Sequence, residues 1–212
     1  MSITTPFDPA NFFAAVYVLN MANRPKKLAA FQAETARVKW PFKTPQVFAA
    51  TDGKATDKKS GVWGCLLSHQ AVLQKAITDG SANVLVLEDD AIFKDDFAVK
   101  VAAFLPAVPT DWDIIMLGGQ NTKRRYIVNP LVCRCSYCMR THCYAVNGKF
   151  MGTLNAAWQA SIASGVVKSC SETMAELMAA AKVYSPWSFL AGQRGGHSDV
   201  SGGIDPLKHF WG

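Results

Sequence analysis

Residues 87–90 read "LEDD": three adjacent carboxylates, Glu88, Asp89 and Asp90, close the apolar run "NVLVL". Neighbouring carboxylates repel one another, so a cation or a dense set of donors is expected to offset them. If the run is a strand, its period of two sends Glu88 and Asp90 to one side and Asp89 to the other. Two carboxylates aimed into a crevice suit a hard divalent ion with oxygen ligands, Mg²⁺ or Mn²⁺. Such an ion can bridge a diphosphate and neutralise it as it leaves. The same acids would also suit the first turn of a following helix, where negative charge complements the dipole. Residue type alone leaves both readings open.

The elements that must position these acids alternate along the chain. "AAVYVLN" (14–20) reads as a buried strand, followed by a loop and a helix that takes Pro25 in its first turn, with Leu28, Phe31 and Val38 at helical spacing. "PQVFAATDG" (45–53) is a second short strand closed by an Asp-Gly turn. The helix "GVWGCLLSHQAVLQKAITDG" ends at Gly80 and leads into the "LEDD" strand. A helix over 94–105 with Asp95 as N-cap follows, then the strand "WDIIMLGGQ" and a strand pair through "RYIVNPLVCRC" and "RTHCYAV". Two helices, around "KFMGTLNAAWQAS" and "ETMAELMAAAK", precede a glycine-rich tail read as loop.

The strands are continuous apolar runs, which predicts an α/β fold: a mostly parallel central sheet flanked by helices on both faces. In such sheets ligands sit beyond the carboxyl ends of the strands. Four strands end in polar or glycine signatures, at Asn20 to Arg24, Thr51-Asp52-Gly53, Glu88-Asp89-Asp90 and Gly118-Gly119-Gln120. Their convergence at one sheet edge predicts a single active site in a single domain spanning 1–212.

Bulk properties narrow the classes. Half of the 212 residues are hydrophobic and 18% are charged, as in a folded domain with a sizeable core. No apolar run is long enough to span a bilayer, and the first residues lack a secretory pattern, so a cytoplasmic location is expected. The net charge of +6 sits in short, separate blocks, "RPKK", "KK" and "KRR". That pattern argues against nucleic acid and suits pockets for anionic small molecules or peripheral contact with an anionic membrane. Cys133, Cys135, Cys138 and Cys143 form one compressed run, with Cys65 and Cys170 elsewhere. Structural zinc sites use two separated pairs, so reduced structural thiols are the expectation.

The ordered set "VYVLNMANRPKKL", "GVWGCLLSHQAVLQKAI" and "LEDD", with "WDIIMLGGQ", "RTHCYAV", "YSPWSFLAGQ" and "SDVSGG", resembles glycosyltransferase family 25, from about residue 14 to 203. The family comprises lipooligosaccharide and procollagen galactosyltransferases. The resemblance implies a GT-A-like, Rossmann-type fold and a UDP-sugar donor, galactose or glucose. It also implies inversion at the anomeric carbon and a glycan, lipid-linked saccharide or protein hydroxyl as acceptor. Asp90, Glu88 and His197 would be metal ligands, with Asp89 or Glu88 touching ribose or metal.

The same resemblance implies donor contacts from Asn20, Arg24, Thr51, Asp52, His69, Gly119, Gln120, Gln193 and Ser198. Arg24 offers forked donors to a phosphate, or is an exposed first-turn residue. Asp52 accepts from a uracil N–H, or merely forms an Asp-Gly turn. His69 is a packing residue or, as the resemblance implies, a donor to the nucleotide sugar, and His142 supports the site from behind or binds the acceptor. The catalytic base departs from the family pattern. An inverting transfer needs a carboxylate within reach of the acceptor hydroxyl, and where family members carry Asp this chain has Ser171. Glu172 or Asp199 is left for the role, or the chain is a degenerate relative that binds a nucleotide-sugar or carbohydrate without turnover. Glu172 also reads as a first-turn helix acid.

Overall fold

A computed structural model of the chain describes residues 7–197 and 204–205. The first half holds β1 (Ala15–Asn20), α1 (Pro25–Arg37), β2 (Gln46–Ala49), α2 (Gly61–Thr78), β3 (Asn83–Glu88), β4 (Ala91–Phe93), α3 (Phe97–Ala107) and β5 (Ile114–Met116). Next come β6 (Gln120–Asn121), β7 (Tyr126–Asn129), β8 (Val132–Arg134), β9 (Cys138–Met139) and β10 (Cys143–Asn147). The last elements are α4 (Gly148–Ala163), α5 (Cys170–Leu177), β11 (Val183–Pro186), β12 (Ala191–Gln193), β13 (Gly196–His197) and β14 (Ile204–Asp205).

Eight strands form the central sheet, in the order β2-β1-β3-β10-β5-β11-β8-β7. Six run in one direction, and β10 and β8 run against them. Side chains alternate along β3. Val84 and Val86 enter the core under α2, α4 and α5, with Leu66, Leu154, Trp158 and Met174. Leu85 and Leu87 enter the opposite core under α1 and α3, with Phe31, Phe97 and Phe104. A central strand with both faces buried must be apolar at every position, which is why the run carries no alternation. The α/β architecture expected from the sequence is the one found: a mainly parallel sheet between two helical layers.

Local departures have local causes. β3 ends at Glu88, and Asp89 and Asp90 form a turn into β4 instead of opening a helix. The strand alternation therefore stops at Glu88 and does not set the direction of Asp90. α3 starts at Phe97 with Asp96 at the cap position, and the expected cap, Asp95, pairs with Arg37 of α1. β7 and β8 pair with each other, while "RTHCYAV" supplies β10, wedged between β3 and β5. The tail read as loop adds β12 to β4 and pairs β13 with β14.

Candidate active site

A cleft of about 430 Å³ opens where the shared-direction strands end. After β1, Asn20 is buried, and its Nδ2 donates to Asp89 Oδ2 at 2.6 Å and to the Arg24 carbonyl at 3.2 Å. Asn20 thus braces the acidic turn and the loop entering α1. After β2, the Thr51 N–H donates to Ser68 Oγ at 2.8 Å, and Asp52 Oδ1 caps a short 3₁₀ turn by accepting from Lys54 N at 2.9 Å. That turn lies directly on α2. A Cβ on Gly64 would stand 2.5 Å from Gly53 N and 2.7 Å from the Thr51 carbonyl, so only glycine admits this approach.

The three acids have different environments. Glu88 Oε1 accepts from Thr141 Oγ1 at 2.7 Å and lies 3.3 Å from His69 Nε2. Burial pushes the Glu88 carboxyl up, but the bond from His69, the charges of His69 and His142 and the bond from Thr141 bring it to about 2. His69 is fully buried, with Nδ1 2.9 Å from the Tyr144 hydroxyl. Burial pulls its pKa down, and the Cys170 and Glu88 charges overcome that and raise it. Asp90 is the unsatisfied member. Its Oδ2 takes a long bond from Gln193 at 3.4 Å, and its buried Oδ1 has no hydrogen-bond partner among the described residues. Burial, followed by the Glu88 and Asp89 charges, lifts its carboxyl to about 7.

Thr51, Asp52, His69, Glu88, Asp89, Asp90 and Gln193 come together in the cleft wall. Asn20 stands behind Asp89, and Arg24 is half-buried at the start of α1. Gly119 and Gln120 do not line the cleft, because β10 separates β5 from β3 and takes that place at the edge. Gly118 and Gly119 are instead packing glycines: a Cβ on Gly118 would lie 2.3 Å from His142 Nε2. His142, buried to 0% exposure beside the Ala191 carbonyl, is held at about 4 by burial and supports the wall without lining it. Ser171 lines the cleft and Glu172 does not. The backbone of His197 lies in β13, and Ser198 and Asp199 fall outside the described residues.

Sequence reasoning missed Lys27, Lys54, Arg140, Thr141, Cys65, Cys170 and Arg194 in the cleft wall. Thr141 and Arg140 arrive there because β10 runs backwards and starts at this edge. The Arg194 N–H donates to the Asp90 carbonyl at 2.7 Å, so β12 brings both it and Gln193. One signal was legible: Cys65 and His69, four apart, share a face of α2. The crowded cysteines 133, 135, 138 and 143 are buried, and none is in a disulfide.

In an open α/β sheet the crevice beyond the carboxyl ends of the strands is where ligands bind, and the carboxylate-bearing cleft lies there. The sequence model described as glycosyltransferase family 25 (LPS biosynthesis protein) matches residues 13–153, and the chain belongs to that family. "Inactive glycosyltransferase 25 family member 3" of Mus musculus is 27% identical over 145 residues, covering 56% of this chain and 23% of the mouse protein. The Homo sapiens protein of the same description is 36% identical over 73 residues, 33% of this chain and 11% of its own length. The chain therefore spans a quarter or less of the length of these relatives.

Among solved structures, A197 from STIV aligns with a TM-score of 0.46 at 10% identity, over 91% of this chain and 93% of its own. Galactosyltransferase LgtC with donor and acceptor sugar analogs aligns with a TM-score of 0.44 at 10% identity, over 81% and 72%. Scores at this level leave the fold to be judged from the strands and helices themselves.

Proposed function

We propose that the chain is a metal-dependent, inverting glycosyltransferase that moves galactose or glucose from a UDP-sugar to a hydroxyl of a glycan, lipid-linked saccharide or protein. The observation that carries it is the buried, unpartnered Oδ1 of Asp90 inside a cluster of three carboxylates. Oxygen donors at a cleft wall fit Mn²⁺ or Mg²⁺, held by Asp90 with Asp89. Glu88 is committed to His69 and Thr141 and serves better as a brace than as a ligand. When bound, the ion would neutralise the charge that develops on the diphosphate leaving group.

The protein's own residues do the rest. Lys27, Lys54, Arg140 and Arg194 give the same cleft cationic donors for phosphate oxygens. The Thr51–Asp52 turn, fixed on α2, offers a rigid wall for the base. Glu172 or Asp199 would accept the acceptor's proton. Titration calorimetry with UDP and Mn²⁺ tests the reading: binding to wild type that is lost in Asp90→Ala supports it, and no binding to wild type overturns it.

A second reading, nucleotide-sugar binding without turnover, is favoured by Ser171, which occupies the cleft wall while Glu172 stands outside it. The curated relatives described as inactive agree with it. Donor hydrolysis or sugar transfer that vanishes in Glu172→Gln would exclude this reading.

The "KRR" block lies at the far edge of the sheet. The Arg124 guanidinium lies 5.9 Å from the exposed Tyr126 ring and the Arg125 guanidinium 5.2 Å from the exposed Trp187 ring, and Ile127 and Leu131 of the same strand pair are exposed as well. Basic groups among exposed aromatic and aliphatic side chains suit peripheral contact with an anionic membrane on the cytoplasmic side. No helix among the described residues is long and apolar enough to cross a membrane.

A further inference from the structure

The cleft wall contains a second group of ligand atoms of different chemistry. Cys65 and His69 project from successive turns of α2, and Cys170 opens α5, which α4 holds against α2. The Cys65 and Cys170 sulfurs are 3.4 Å apart, and one ligand atom from each of the three residues lies within 4.8 Å of the other two. A tetrahedral ion with metal–sulfur bonds of about 2.3 Å separates two thiolates by roughly 3.8 Å. The three groups therefore need only a slight spread to enclose one.

We propose that Cys65, Cys170 and His69 form a soft divalent-metal site, suited to Zn²⁺, separate from the carboxylate site at Asp90. This proposal does not rest on the sugar-transfer reading.

Three observations argue for it. The donor set, two sulfurs and one imidazole, selects a borderline-soft ion and disfavours the Mn²⁺ or Mg²⁺ suited to carboxylates. Either imidazole nitrogen facing the sulfurs leaves the other with a partner in place, Tyr144 Oη at 2.9 Å or Glu88 Oε1 at 3.3 Å. Metal-bound histidines are oriented by such a partner. Position in the chain is fixed as well: Trp158 Nε1 donates to the Cys170 carbonyl at 3.0 Å, pinning the residue that must meet α2.

Three protein ligands leave a fourth position, and all three residues border the cleft. That position would be open to the cleft, as in zinc sites that keep one coordination place free. Two thiolates balance the ion's charge, so the site can fill without adding net charge beside Glu88.

The test uses the full chain, reduced and stripped of metal. Titration with Co²⁺ should give a thiolate-to-cobalt charge-transfer band with intense tetrahedral d–d absorption, saturating at one equivalent, and Zn²⁺ should abolish both. Cys65→Ser and Cys170→Ser should lose the band, and Cys143→Ser, buried elsewhere, should keep it. Tyr144→Phe should weaken Zn²⁺ binding about tenfold or more if the Nδ1 bond orients the ring. Asp90→Asn should retain the cobalt band while losing Mn²⁺-dependent UDP binding, which separates failure of this proposal from failure of the functional reading. Wild-type protein without a charge-transfer band would overturn it. So would a band that survives in the Cys65→Ser/Cys170→Ser double variant, or a native Cys65–Cys170 disulfide found by mass spectrometry.

Discussion

At the residue scale, Asp90 carries a buried Oδ1 that has no hydrogen-bond partner among the described residues. Its folded-state pKa, raised from 3.8 to about 7 by burial and by Glu88 and Asp89, lies above its unfolded value. Between those two values the native state holds the proton more tightly, so metal-free stability falls as pH climbs from about 4 to about 7. Asp90→Asn should therefore raise the metal-free melting temperature at pH 8, change it little at pH 4, and remove the rise that Mn²⁺ gives the wild type. Thermal scans at the two pH values check all three, and a metal-free variant less stable than wild type at pH 8 would refute the reading. Asn20→Ala should act through its neighbour. Losing the donor to Asp89 should cost about 1–3 kcal/mol of stability, measured by urea unfolding, and weaken Mn²⁺-dependent UDP binding about tenfold.

At the scale of elements, the site depends on how α1 and α2 are fastened to the sheet. Glu34 of α1 accepts from the Phe93 N–H at 2.8 Å and from Arg37 Nη2 at 2.6 Å, tying the helix to β4 just past the acidic turn. Burial raises the Glu34 carboxyl, and the bonds from Arg37 and Phe93 outweigh it, so the net shift is downward. A depressed folded pKa stabilises the fold above the unfolded value and is lost as pH falls through the folded one. Glu34→Ala should cost about 2–4 kcal/mol at pH 7, because a buried N–H and Arg37 lose their acceptor, and the deficit should shrink in acid. Denaturant melts at pH 7 and pH 3 measure both. On α2, Gly64→Ala should push the Thr51–Asp52 turn away. UDP affinity should fall along with stability, by about 1–3 kcal/mol, as in other overpacked contacts.

At the scale of the whole molecule, the cleft and the basic, aromatic edge at β7 lie at different places on the sheet, since β7 is its last strand. Their functions should separate. Co-sedimentation with anionic vesicles should capture the protein at low salt and release it at high salt, and neutral vesicles should not bind it. Arg124→Glu with Lys123→Glu should abolish capture and leave Mn²⁺-dependent UDP binding intact. Equal binding to neutral and anionic vesicles would discount the membrane reading.

The sequence by itself determined the layers and the edge. Short, β-branched continuous apolar runs such as "NVLVL" read as strands buried on both faces, and the polar residues closing them then gather beyond the sheet. Asn20, Thr51 and Glu88 were legible for that reason, as was the family through its ordered motifs. Tertiary structure decided everything that depends on strand direction and order. Local sequence does not say that β10 inserts backwards between β3 and β5, yet that insertion brings Thr141 to Glu88 and removes Gly119 and Gln120 from the cleft. Nor could spacing show that Cys170, 105 residues from Cys65, would meet it across α2 and α5. Local periodicity records which face a residue buries, and only the packed chain determines which distant residue it faces there.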